Sequence, residues 1–217
     1  MILTIFGDVH GNLIALEELF KAEKAQTDIF ICHGDIVNYG PWTNECVQFL
    51  NEIPNLQILK GNHEQYFLDG FYDGQHIVAK SFFEFCYQRF DVSLLQVIRQ
   101  YGDVLEAGNY TVKHTIGNGY IFADTDITNI NIDRNYIIGH SHQQFERKKN
   151  DYKIFNTGSL GQNRAFINQS NYLTLDTDTG KVTLKSYLHD IDRVINKMKS
   201  DKYPTICTDY YLSKKRL

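Results

Sequence analysis

Ile2-Leu3-Thr4-Ile5-Phe6-Gly7-Asp8-Val9-His10-Gly11-Asn12-Leu13 begins as an apolar run and passes through glycine, acid and histidine into a helix cap. Leu13, Leu16, Leu19 and Phe20 then recur at helical spacing, and the Asn12 side chain can accept from an unpaired N–H of the first turn. The unit is strand, loop, helix. It is repeated by Ile29-Phe30-Ile31-Cys32, which runs into Gly34-Asp35 and a helix that Thr43 can cap, carrying Cys46, Val47, Phe49 and Leu50 and ending near Pro54. Leu56 to Leu59 is a third strand, followed by Gly61-Asn62-His63-Glu64. Near-continuous apolar strands imply a sheet covered on both faces, and the order of elements implies parallel pairing with right-handed crossovers. Ligands bind at the C-terminal edge of such sheets, so Asp8, Asp35 and Asn62 should converge on one site.

Beyond Gln65 the pattern changes. Residues 65–106 concentrate aromatics (Phe82, Phe83, Phe85, Tyr87, Phe90) and then Leu94, Leu95, Val97 and Ile98 at mixed helical spacing, which predicts an insertion of two or three helices whose aromatic cluster packs a core. Strands return at Tyr110–Lys113, Gly119–Ala123, Tyr136–Ile138, Lys153–Phe155, Tyr172–Leu175 and Lys181–Tyr187, with Asp178-Thr179-Gly180 as a hairpin turn. Ile191–Lys199 reads as a closing helix, and residues 190–217 as that helix plus a solvated tail ending in Lys214-Lys215-Arg216.

A chain of 217 residues with 42% hydrophobic residues suits one domain with a substantial core. Its formal net charge of −4 argues against an extended nucleic-acid surface. No segment reaches membrane-spanning length, and Met1–Phe6 runs into the first motif without a basic leader, which points to the cytoplasm. Cys32, Cys46, Cys86 and Cys207 have no paired spacing, so neither a disulfide framework nor a zinc ribbon is expected.

The chemistry lies in four blocks: Asp8-Val9-His10, Gly34-Asp35, Gly61-Asn62-His63-Glu64 and Gly139-His140-Ser141-His142, with His114 between the last two. Carboxylates, imidazoles and an amide drawn from several converging loops are what two closely spaced divalent ions need, and phosphate-ester hydrolysis is the chemistry such a pair supports. His33, His76 and His189 fall outside these blocks and are expected to be structural or exposed, with His33 facing away from the site.

In this order the blocks resemble the calcineurin-like metallophosphoesterase superfamily, whose pattern runs Asp-x-His, Gly-Asp, Gly-Asn-His-Asp/Glu, His, Gly-His-x-His. Gly34-Asp35-Ile36-Val37-Asn38-Tyr39-Gly40-Pro41 and Asn156-Thr157-Gly158-Ser159-Leu160-Gly161-Gln162-Asn163-Arg164 are similar to small prokaryotic phosphodiesterases related to diadenosine tetraphosphatases, and the likeness extends to about residue 200. It implies an α/β fold: a two-sheet β-sandwich flanked by helices in four α/β/β/α layers, with the 65–106 segment as a small helical insertion.

The same resemblance implies a ligand set. Asp8, His10 and His142 would hold one metal, Asn62, His114 and His140 the other, and Asp35 would bridge them. The ions would be two divalent metals, Mn²⁺ first, with Fe, Zn, Ni, Co or Mg as alternatives. A water acidified between them would attack phosphorus in line. His63 would face a small phosphate-ester or nucleotide substrate and donate to an oxygen of it, with Glu64 either orienting His63 or lying on the surface. Arg164 is either a phosphate clamp or a plain surface residue. His114 departs from the family pattern in being followed by Thr115 where glycine is usual. Two other readings compete: a protein Ser/Thr phosphatase, whose relatives carry Asp-Arg-Gly where this chain has Asn38-Tyr39-Gly40, and a non-catalytic scaffold of the same fold.

Overall fold

The computed structural model describes residues 1–117 and 119–217. The first third alternates as read: β1 (Ile2–Phe6), α1 (Leu13–Glu23), β2 (Ile29–Cys32), α2 (Thr43–Asn51) and β3 (Leu56–Ile58). Helices α3 (Asn62–Asp69), α4 (Ile77–Tyr87) and α5 (Leu95–Ile98) follow, the last preceded by a 3₁₀ turn. Then come β4 (Val104–Ala107), β5 (Tyr110–Lys113), β6 (Asn135–Ile138), β7 (Gln144–Lys149), β8 (Tyr152–Thr157), β9 (Gln169–Asp176) and β10 (Lys181–Leu188). Helices α6 (Ile191–Ser200) and α7 (Thr205–Leu212) close the chain. None of the described helices is long and apolar enough to cross a membrane.

These strands form two mixed five-stranded sheets flanked by helices, ordered β10-β9-β1-β2-β3 and β4-β5-β6-β8-β7. β1, β2 and β3 pair in parallel, while β9 joins β1 antiparallel. The period of two along β1 and β2 divides their side chains between two cores. Leu3, Ile5 and Ile31 meet Val112, Ile137 and Phe155 of the second sheet. Phe6, Phe30 and Cys32 meet Leu16, Leu19, Val47 and Leu50 of α1 and α2. Each such side chain, fully buried, stabilises the fold by roughly 1.5–3 kcal/mol.

Several expectations change on contact with the structure. Gly119–Ala123, read as a strand, is irregular. Its Ile121 packs with Ile127 and Ile132 over Ile138, Phe145 and Ile154 on the outer face of the second sheet, so its apolarity reflects covering a sheet rather than joining one. β7 was invisible because an edge strand carries charges: in Gln-Phe-Glu-Arg-Lys-Lys only Phe145 is buried. Thr43 sits inside the first turn of α2, its hydroxyl donating to Gly40 O at 3.3 Å, and Trp42 precedes it without a side-chain cap. A further helix, α7, precedes the solvated Lys214-Lys215-Arg216 end and buries Cys207 and Tyr211, and that end is pinned by Ile167 N donating to Lys215 O at 2.9 Å and by an Arg216–Asp192 ion pair at 2.8 Å. Other readings hold. Asn12 caps α1 through Ala15 N at 3.1 Å, and Phe82, Phe83, Phe85 and Phe90 are buried. All four cysteines are free.

Candidate metal centre

The parallel ladder does not stop where β1 and β2 stop. Asp8 N donates to Gly34 O, His10 N to Asp35 O and Gly11 N to Ile36 O, at 2.8–2.9 Å, so the two loops leave the sheet edge laced together. β3 leads into α3, whose first two residues are Asn62 and His63. His114 follows β5, and His140 and His142 lie between β6 and β7. Asp8, His10, Asp35, Asn62, His63, His114, His140 and His142 therefore arrive at one place from five strand ends.

Their donor atoms form two groups. Asp8, His10, Asp35 and His142 each offer an atom within 4.8 Å of the others, as do Asp35, His114 and His140. Asp35 belongs to both groups. In the first, His142 Nε2 lies 3.2 Å from Asp8 Oδ1 and 3.1 Å from His10 Nε2. In the second, His114 Nε2 lies 3.2 Å from Asp35 Oδ2, from Asn62 Oδ1 and from His140 Nδ1.

Several of the other polar atoms of these side chains face away and are held. Backbone carbonyls only accept, so Nδ1 of His10, His114 and His142 must donate to Val37 O (3.3 Å), His33 O (3.1 Å) and Gln162 O (2.8 Å), which turns each Nε2 toward the other donors. Asp35 Oδ1 accepts from His63 N at 2.8 Å and Asp8 Oδ2 from His140 N at 3.0 Å. Asp35 Oδ2 and Asp8 Oδ1, turned inward, are buried and have no hydrogen-bond partner among the described residues. Buried anionic oxygens without donors are costly unless a cation meets them, so this arrangement fits divalent metal.

Backbone strain accompanies it. Asp8, His10, Asp35, His140 and His142 all have positive φ, between 49° and 68°, at roughly 1–2 kcal/mol per residue. Gly61 and Gly139 allow the close approach: a Cβ on either would come within 2.1 Å of Asp35 Oδ1 or 2.4 Å of Asp8 Oδ2.

The sequence profile of calcineurin-like phosphoesterases matches residues 1–159. The chain belongs to that family. A metallophosphoesterase from Sphaerobacter thermophilus superposes with a TM-score of 0.81 at 23% identity over 98% of both chains, and a putative diadenosine tetraphosphatase with 0.58 at 17% over 85% of this chain and 93% of that one. An uncharacterized protein of Methanocaldococcus jannaschii is 26% identical over 229 residues, covering 93% of each chain.

As a calcineurin-like phosphoesterase the chain is a hydrolase of phosphate esters from a family that binds divalent metals, and the charge balance of the centre suits that role. Burial opposes ionisation of Asp35, but the facing charges of His114 and His63 outweigh it and hold the carboxyl well below its usual range. Burial likewise opposes protonation of His114, and Asp35 overrides it, raising His114 to about 9. His10 and His140 go the other way, lowered by burial and by neighbouring imidazoles, His140 to about 4.

His63 stands apart from both donor groups. Asn38 Oδ1 accepts from Tyr39 N at 2.8 Å, which fixes the orientation of its amide, so Asn38 Nδ2 donates to His63 Nδ1 at 3.0 Å. The neutral His63 ring then carries its proton on Nε2. Asn38 sits where the protein phosphatases have the Asp of Asp-Arg-Gly, yet its role could not be read from the sequence because it depends on which amide atom faces the ring. Glu64 does neither of the things expected of it: it is fully buried and its carboxylate accepts from Asp35 N, Ile36 N, Val37 N and Gly61 N at 2.7–3.2 Å. It clamps the β2 loop to the start of α3, and burial raises it to about 7.

Above the donor groups lies a cavity of about 450 Å³. Its floor includes Asp35, Asn62, His63, His140 and His142, and its wall is largely aromatic, with Tyr39, Tyr66, Tyr72, Tyr120 and Tyr210. Tyr120 stacks on His140 at 4.1 Å and 7°. Arg164 also lines this cavity, with its guanidinium 5.3 Å over Tyr120 and 5.4 Å over Phe122. His33 lies behind the site, bonded to Thr157 Oγ1 at 2.7 Å, and His189 is buried between Asn12 and Ser170. His76, at the start of α4, lines the cavity.

Proposed function

We propose that residues 1–217 act as one cytoplasmic, dinuclear phosphodiesterase or nucleotide pyrophosphohydrolase. Asp8, His10 and His142 hold one ion, Asn62, His114 and His140 the other, and Asp35 lies between the two. Mn²⁺ is the first choice for mixed nitrogen and oxygen donors, with Fe, Zn, Ni, Co or Mg as alternatives. The observation that carries this reading is the membership of Asp35 in both donor groups, with Oδ2 turned inward.

When bound, the ions supply a water acidic enough to attack phosphorus in line at neutral pH and Lewis acidity toward the phosphoryl oxygens. The chain supplies the rest. His63, oriented by Asn38, presents Nε2–H to a phosphoryl or leaving-group oxygen. Arg164 holds a phosphate oxygen from the opposite wall. The aromatic wall favours a base-bearing small molecule, in keeping with a structural neighbour described as a putative diadenosine tetraphosphatase. A protein Ser/Thr phosphatase is disfavoured because Tyr39, packed 4.9 Å from His10, stands in place of the phosphate-binding arginine, and a scaffold because the ligand set is complete.

Mn²⁺-loaded protein is expected to hydrolyse bis(p-nitrophenyl) phosphate, and His114→Ala to lower metal content from two ions per chain toward one by elemental analysis. A fully metallated wild type inert toward diesters, monoesters and dinucleoside polyphosphates would leave the scaffold reading standing.

A further inference from the structure

The wall of the cavity carries two cations, and the phosphorus attacked at the metal centre is served by the metals and His63 without either of them. Arg164 enters from the loop after β8, and Lys214 from the residues after α7. Neither makes an ion pair within 4.0 Å among the described residues, whereas Arg216 is paired with Asp192 and Arg147 and Lys149 are bonded to carbonyls. Both rest on aromatic faces instead. Arg164 lies over Tyr120 and Phe122, and Lys214 Nζ lies 4.3 Å from the Tyr210 ring centre. Tyr120 and Tyr210 line the same cavity. The aromatic faces position the cations without neutralising them, since a ring quadrupole offsets only part of a full charge.

Partial burial and the nearby positive charge of Arg164 depress Lys214. Two like charges held together on one wall, with Asp35 the sole carboxylate lining the cavity, are unfavourable until an anion joins them.

We infer that Arg164 and Lys214 form a second phosphoryl subsite, so that the substrate carries at least one further phosphate in anhydride linkage beyond the one at the metal centre. The inference rests on the nucleotide-hydrolase reading above and narrows it to pyrophosphate-containing substrates, against cyclic nucleotides and simple diesters. A guanidinium grips two oxygens of a phosphoryl group in a plane, and an ammonium adds a point charge from a flexible stem, a combination suited to a tetrahedral dianion. It also gives the C-terminal segment a function, because Ile167 N to Lys215 O and the Arg216–Asp192 pair hold Lys214 at the cavity mouth.

The test is calorimetric and independent of turnover. The full, metal-loaded chain is titrated with imidodiphosphate, a non-hydrolysable two-phosphate probe, and with orthophosphate. Imidodiphosphate is expected to bind at least about tenfold more tightly, and Lys214→Ala and Arg164→Ala each to shrink that ratio by roughly threefold to tenfold, with Lys214→Arg restoring most of it. A ratio near one in the wild type, or variants that weaken both probes equally, would overturn the subsite. Failure of the parent reading looks different: no hydrolysis of bis(p-nitrophenyl) phosphate or of any dinucleoside polyphosphate, whatever the binding ratio.

Discussion

The floor of the cleft and its wall come from different parts of the chain and obey different rules. The floor is made at strand ends, from side chains that are buried or half-buried, several of them held by backbone carbonyls and N–H groups, and strained in φ at five positions. The wall is made by Tyr66 of α3, Tyr72, Tyr120, Arg164, Tyr210 of α7 and Lys214, contributed by helices, long loops and the chain end. A floor residue can hardly move without unbonding a neighbour. A wall residue such as Tyr120, half exposed, can. The difference implies that floor substitutions act on turnover and metal content, and wall substitutions on substrate affinity.

The sharpest way to break that division is Asp35→Asn. Removing the shared negative charge from both donor groups should lower kcat/KM on the order of 10³-fold or more, because several kcal/mol of metal-centred stabilisation are lost together, and bound metal should fall in the same preparation. Activity within tenfold of wild type would mean that Asp35 is not shared. Asn38→Ala comes next. It leaves the donor groups intact and frees the His63 ring, so kcat should drop roughly ten- to a hundredfold with KM and metal content little changed. A change confined to KM would place Asn38 with the wall instead.

The floor was legible in the sequence for a reason that explains why the wall was not. Asp8, Asp35 and Asn62 sit one or a few residues after apolar strands whose parallel pairing follows from their order, so local pattern and topology point to the same place. Lys214 opens a stretch that reads as a solvated tail and Tyr210 lies just before it, and long-range packing, Tyr210 and Tyr211 on Phe82 with ring centres 5.8 and 5.9 Å away, brings both to the cavity. The role of Glu64 is hidden in the sequence because its four N–H donors come from two loops far apart along the chain. β7 was missed because its charges obey the needs of an edge rather than those of a core.

A buried histidine behind the site ties the start of α1 to the end of β10, and pH tests that tie. His189 Nδ1 meets Ser170 Oγ at 2.9 Å and its Nε2 meets Asn12 Nδ2 at 3.0 Å, linking the cap of α1 to the hairpin that leads into α6 and α7. Burial lowers His189 to about 4, against 6.5 for a free imidazole. The unfolded chain therefore binds a proton that the folded one rejects. This contribution is complete above about pH 6.5 and is lost as pH falls toward 4. Between pH 7 and pH 5 it should amount to about 2 kcal/mol. His189→Gln should flatten the acid limb of a urea-denaturation series by that amount, and an unchanged slope would place the acid sensitivity elsewhere.

Tyr120→Ala should have the smallest effect and bears most directly on the wall. The ring covers His140 on one face and carries the Arg164 guanidinium, so its loss removes a stacking surface and releases a cation from its perch. Base stacking on an aromatic side chain is worth about 1–3 kcal/mol at most sites, and a half-exposed ring should sit at the low end. KM for a nucleotide substrate should rise about three- to tenfold, with a smaller change in kcat and none in metal content. For bis(p-nitrophenyl) phosphate, which lacks a nucleobase and a second phosphate, the rise should be smaller. A variant that instead loses metal would show that Tyr120 supports His140, and the boundary between floor and wall would then run through that ring.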